Sequence, residues 1–172
     1  SDSARAAVKE ARRIARAAGV PIAMTFSDPA MVRFFKPGLA EMLDDGVDLL
    51  FCNEEEACLW SGALTVEHAL DALKKIARQV VITLGSQGAL VWDGHELVRI
   101  APAPALPVDS NGAGDMFAGA YLFGLTRGWS PARAGRLASH AAAAVVSQFG
   151  PRLPLEHHGA LLRENNSAHT GH

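Results

Sequence analysis

Apolar and polar positions follow two alternating periods along this chain, a helical one recurring every three to four residues and a strand one of short apolar runs. Residues 3–18 are rich in Ala and Arg, with Val8, Ala11 and Ile14 on one face. Gly19 stops that helix before the apolar run 20–26, which reads as a strand. The unit then repeats. Helical turns over 30–35 and 39–43, broken at Pro37-Gly38, lead into a buried strand over 47–52. Helices over 54–60 and 66–77, separated by Ser61-Gly62, lead into a β-branched strand over 80–84. Between 89 and 100 the period shortens to two strands around Asp93-Gly94, a hairpin signal. Residues 101–107 hold three prolines and read as an extended crossing segment. The last long helices are expected over 113–126 and 131–147. Ser130-Pro131 opens the second as N-cap and first helical residue. A short helix over 155–163 follows.

Helices alternating with strands predict the α/β class, with a mostly parallel sheet covered by helices. The 172 residues, 49% hydrophobic and 20% charged, suit one domain with a real core, placed here over 1–164; the small polar end, 165–172, is expected to be a disordered tail. A net charge of -2 with interspersed signs gives no basic stripe, so neither nucleic acid nor a membrane surface is expected as a partner. The longest apolar stretch, 116–125, is far below the roughly 18 residues needed to span a bilayer. Cys52 and Cys58 have no further pair to build a framework with and read as reduced thiols of a cytoplasmic protein.

The richest chemistry lies in Val108-Asp109-Ser110-Asn111-Gly112-Ala113-Gly114-Asp115-Met116-Phe117, a polar, glycine-rich turn running into an apolar helix. Small residues at Gly112, Ala113 and Gly114 let backbone approach an oxyanion, and the open amides of a helix's first turn point at it. Asp115 cannot itself bind phosphate. It either caps the helix, or accepts a proton from an attacking hydroxyl.

Residues 109–117 resemble the carboxy-terminal signature of the PfkB family of carbohydrate and nucleoside kinases, roughly D-T-x-G-A-G-D-x-F, with Ser110 in place of Thr. Asn53-Glu54-Glu55-Glu56, after the strand over 47–52, matches the family's N-x-x-E pattern. The resemblance implies that Asn53 and Glu56 organise Mg2+, largely through water; an acid-rich first helical turn is the alternative. The segment Thr83-Leu84-Gly85-Ser86-Gln87-Gly88 is similar to the family's T-x-G-x-x-G loop, which would place Thr83, Gly85, Ser86 and Gly88 near the phosphates of ATP; a plain turn is the alternative. His140 and the alanines after it occupy positions that border the adenine in the family, or they serve close helix packing. Family members also often bind a monovalent cation such as K+, here through Asp109 and the loop 147–150.

What the resemblance implies is a ribokinase-like three-layer α/β/α fold and an ATP-dependent kinase. Asp115 would be the general base, and the turn Gly112, Ala113, Gly114, Asp115 the anion hole. The match covers about 20–154 but only the latter half of the family's usual length. The amino-terminal half and lid are therefore expected to be missing, and the isolated chain to be poorly soluble or oligomeric, or to bind nucleotide without catalysis. A homodimer is expected of the full-length protein. The segments 25–29, 34–35, 53–57 and 147–153 are similar to the adenosine-kinase-like branch, so the acceptor is expected to be a nucleoside, with a sugar of ribose or fructose type as the alternative. His157-His158 lacks a third ligand, and Trp60, Trp92 and Trp129 read as packing residues.

Overall fold

The computed structural model describes residues 2–167, with side chains through Arg163. These form two compact units, one running through Thr83 and including Trp92–Glu96, the other comprising Leu84–Val91 and the chain from Leu97 onward.

In the first unit, α1 (Asp2–Ala17) is followed by β1 (Ala23–Thr25), α2 (Pro29–Leu43), β2 (Val47–Asn53), α3 (Glu54–Ser61), α4 (Val66–Leu73) and β3 (Ala77–Thr83). β2 pairs in parallel with β1 and with β3, in a register running from Val47 opposite Ala77 to Asn53 opposite Thr83. Central position explains its composition: Leu50 is fully buried, as are Val80, Val81 and Ile82 on β3.

Three elements differ from the sequence expectation. β1 is three residues long instead of spanning 20–26, because Pro21 has no amide to pair and the Ile22 amide is taken by the Asp48 carboxylate at 2.8 Å. The two helical turns around Pro37-Gly38 are one helix, α2, kinked at Phe35 (φ -126°, ψ 20°), since Pro37 removes a hydrogen bond without ending the helix. Asp28 caps α2 through the Ala30 amide at 2.6 Å. The helix expected over 66–77 stops at Leu73, where Lys74 and Ile76 close the last turn and Ala77 is claimed by pairing with Val47. The Asp93-Gly94 turn is present, its carboxylate accepting the amides of His95 and Glu96 at 2.8 Å each.

In the second unit, β4 (Ala89–Trp92, its last residue in the first unit) neighbours β5 (Leu97–Ile100); α5 (Ala113–Leu125), α6 (Pro131–Val146) and α7 (Leu155–Ser167) follow. α5 packs on α6 around buried Phe117, Tyr121, Leu137 and Val145. The proline-rich stretch 101–107 has no regular structure, as expected, and is pinned by side chains: Ser139 accepts the Ala103 amide at 2.9 Å and donates to the Ala101 carbonyl at 3.0 Å. Ser130 caps α6 through the Arg133 amide at 3.4 Å. α7 carries helix through Ser167, into the segment expected as a tail from 165; the rest of that tail, 168–172, lies outside the described residues. No helix among the described residues is long and apolar enough to cross a membrane.

Candidate active site

Each unit carries its own set of the motif residues. In the first, Asn53 ends β2 and caps α3. Its side-chain oxygen accepts the Glu56 amide at 2.8 Å, and Glu56 Oε2 accepts the Asn53 amide at 3.0 Å, a reciprocal capping box. Glu56 is 4% exposed whereas Glu54 and Glu55 face solvent, so burial sets it apart from its neighbours. That burial pushes its carboxyl above the ordinary range. The bond from the Asn53 backbone opposes the shift, and the charges of Asp28 and Glu55 add to it. The other oxygen, Oε1, and the Asn53 side-chain amide make no hydrogen bond among the described residues. The β2–β3 register sets Thr83 beside Asn53, at the carboxyl ends of parallel strands where open α/β sheets bind ligands. Among the described residues no group of three His, Cys, Asp or Glu could enclose a metal. The one oxygen left open by the capping box, Glu56 Oε1, would suit a cation that keeps most of its waters, as Mg2+ does.

In the second unit, Gly112 is the N-cap of α5 in the left-handed region (φ 79°). A Cβ there would lie 2.6 Å from Pro151 Cβ and 2.7 Å from the Pro151 carbonyl oxygen, so only glycine fits. Around it, the Ala113 amide bonds Ser110 O and the Met116 amide bonds Gly112 O, but the amides of Gly114 and Asp115 find no acceptor among the described residues. Both residues are exposed. The Asp115 carboxylate accepts no hydrogen bond among those residues either, so it does not serve as a cap. Two open amides, the positive end of a helix and an uncommitted carboxylate thus share one turn. Asp109 holds this turn to the next loop: Oδ1 accepts the Asn111 amide at 2.9 Å and Oδ2 the Gly150 amide at 3.2 Å.

The remaining predicted residues divide. Gly85 and Ser86 lie exposed in a 3-10 turn over Gly85–Gln87. Gly88 is buried, and a Cβ on it would sit 2.0 Å from Ile100 O; its glycine is required by the chain's own backbone. His140 is exposed on α6, with buried Ala141 after it. Trp60 stacks on Phe26 at 4.8 Å and Trp129 meets Phe123 edge-on at 5.9 Å, consistent with packing roles. Pro151, which locks Gly112, was not visible as a site residue, because nothing local links it to a turn that far upstream.

The family model for "pfkB family carbohydrate kinase" matches residues 1–158, and the chain belongs to that family. It is 35% identical over 133 residues to a ribokinase of Lactococcus lactis, covering 75% of this chain and 43% of that protein. Among solved structures it resembles the adenosine kinase of Sinorhizobium meliloti, with a TM-score of 0.85 and 34% identity, over 94% of this chain and 49% of that one. It also resembles an Escherichia coli protein described as a ribokinase II, in complex with ATP and Mg2+ (TM-score 0.80, 27% identity, 92% and 53% coverage). The fold is thus the ribokinase-like α/β fold. The chain spans about half the length of the relatives it matches.

Proposed function

We propose that this chain carries the phosphate-handling half of a kinase that transfers the γ-phosphoryl group of ATP to a hydroxyl of a nucleoside. The observation that carries the reading is the first turn of α5, where two open amides and the uncommitted Asp115 carboxylate stand on a glycine that Pro151 locks in place. The amides of Gly114 and Asp115 donate to the transferring phosphoryl, whose charge spreads over its outer oxygens. Asp115 accepts the acceptor's hydroxyl proton as the new O–P bond forms and the bond to the bridging oxygen of ADP breaks. Asn53 and Glu56 would hold Mg2+ through water, and the ion would supply screening of phosphate charge. As the family resemblance implies, Gly85 and Ser86 would lie along a nucleotide's phosphates and His140 near its base, while Thr83 stands beside Asn53 at the end of β3. K+ would lie by Asp109, whose tie to Gly150 supports a cation loop at 147–150.

The likeness to an adenosine kinase, together with the segments 25–29 and 147–153, favours a nucleoside acceptor. The identity to a ribokinase keeps a sugar as the second reading. Free Cys52 and Cys58 support a reducing, cytoplasmic setting. The test is transfer from γ-labelled ATP to adenosine, cytidine, inosine, ribose and fructose, by this chain and by its native gene product, wild type beside Asp115→Asn. A loss of about 10²–10⁴-fold with ATP binding retained supports the general base. Equal rates overturn it, and intact ATP binding without turnover in the native gene product favours a non-catalytic nucleotide-binding protein.

A further inference from the structure

The first unit contains a cleft of about 440 Å³ that none of the motifs uses. It opens where β2 and β3 begin, at Val47 and Ala77. Asn53 and Thr83 end the same strands, seven residues each, so at about 3.3 Å per residue the cleft and the motif end lie roughly 20 Å apart. It is a separate place on the same strands.

Its charged walls are Arg16, Asp45, Asp48, Lys74, Lys75 and Arg78, four cations against two carboxylates. Both carboxylates are already engaged. Asp45 accepts from Arg16 at 2.6 Å and from Arg12 at 3.3 Å, and the Arg16 bond holds it below the usual carboxylate range. Asp48 accepts the Ile22 amide at 2.8 Å and pairs with Arg78 at 3.6 Å. Arg16 and Arg78 are matched by these two carboxylates, so the wall's excess of positive charge lies with Lys74 and Lys75. Lys75 is exposed and has no ion pair among the described residues. Lys74 shares Asp71 at 3.1 Å and lies over the Trp92 ring at 4.3 Å. Arg12, 6% exposed, donates from Nη2 to the Gly46 carbonyl at 2.9 Å as well as to Asp45, both on the wall, while its Nη1 is buried without a hydrogen-bond partner. Arg12 thus stands behind the wall residues Asp45 and Gly46 and adds its charge there without itself lining the cleft.

We infer that this cleft is a binding site for a small phosphate-bearing polyanion, held by Lys74, Lys75 and Arg78 of its lining. Guanidinium and ammonium groups converging on a polar cleft suit phosphate oxygens. The volume lies within the range of small-ligand sites, about 300–1,000 Å³.

Pyrophosphate is the probe, titrated into ¹⁵N-labelled chain while the amides of Gly46, Lys75 and Ala77 are followed beside that of Gly114 at the α5 turn. Saturable shifts at the first three, weakened roughly tenfold or more by K75A/R78A with the Gly114 response unchanged, are the expected result. Both substituted side chains are exposed, so the variant keeps the fold. Shifts that never saturate, that chloride reproduces at equal ionic strength, or that survive K75A/R78A overturn the site. A response confined to Gly114 overturns it too, and leaves the kinase reading standing.

Discussion

Replacing Gly112 by alanine tests whether the anion turn is held by backbone conformation or by side chains. At φ 79° an alanine carries the left-handed penalty of about 1–2 kcal/mol. Its methyl would lie 2.6 Å from Pro151 Cβ and 2.8 Å from Pro151 Cα. The obstacle is backbone and a rigid ring, so relief requires moving the loop, at a further cost of about 1–3 kcal/mol. Together these predict a loss of about 2–5 kcal/mol, or about 5–15 °C in Tm for a chain of this size. Moving Pro151 also shifts Gly150, whose amide holds Asp109, so ATP affinity should fall with stability. Gly114→Ala is the control. A Cβ there meets no atom within 4 Å, and alanine is the better helix former, so Tm should hold or rise slightly. ATP binding should nevertheless weaken, because a methyl then crowds the open amides. Thermal melts and calorimetric ATP titrations of both variants decide the matter. G112A melting within about 2 °C of wild type and binding ATP normally would refute the geometric argument.

Three further outcomes follow from individual side chains. Glu56 has a folded-state pKa raised by burial, so its ionised form is a liability that disappears as pH falls through that value towards the ordinary Glu range. Glu56→Gln should therefore melt higher than wild type at pH 8, with the gap closing by about pH 4.5; a variant less stable at pH 8 than wild type would contradict this, and activity should be lost at every pH. Ser139→Ala leaves the Ala101 carbonyl and Ala103 amide without their bridge and should cost about 1–3 kcal/mol in urea unfolding, against no measurable change if water replaces the hydroxyl. Phe34, Phe35, Leu64 and Phe149 are exposed by 70%, 59%, 98% and 86%, so sedimentation of the isolated chain should show self-association; a monodisperse monomer argues against it.

Most of the fold was legible because its segments are locally consistent. The run Val-Asp-Leu-Leu-Phe-Cys-Asn reads as a buried strand and is one, and Ser130-Pro131 starts α6 where capping chemistry says it should. Errors fell where a distant partner outvoted local periodicity. Nothing between 66 and 77 announces that Ala77 will pair with Val47, and nothing near Ile22 shows that an aspartate of β2 will take its amide. The site was legible to the same degree. Asn53 and Glu56 sit three apart, so their capping box is written in the sequence; the lock on Gly112 and the bond from Gly150 to Asp109 join segments far apart in the chain and had to be seen.

That difference bears on how the two motif sets acquire meaning. An Asn three residues before a Glu at a helix start is common capping chemistry, and the box observed here satisfies it fully with one Glu56 oxygen. Capping alone does not call for burial, since Glu54 and Glu55 favour the same helix end from solvent. Burial raises the cost of ionising this carboxylate, and its second oxygen stays uncommitted at the carboxyl end of a parallel strand, where a bound cation would offset that cost. Asp115 supports the same argument from the opposite side. It stands in solvent in the first turn of α5 and forms no capping hydrogen bond among the described residues, so no cap fixes its carboxylate. Capping hydrogen bonds thus account for one oxygen of Glu56 and for neither oxygen of Asp115, and the proposed phosphate chemistry would use the oxygens left over.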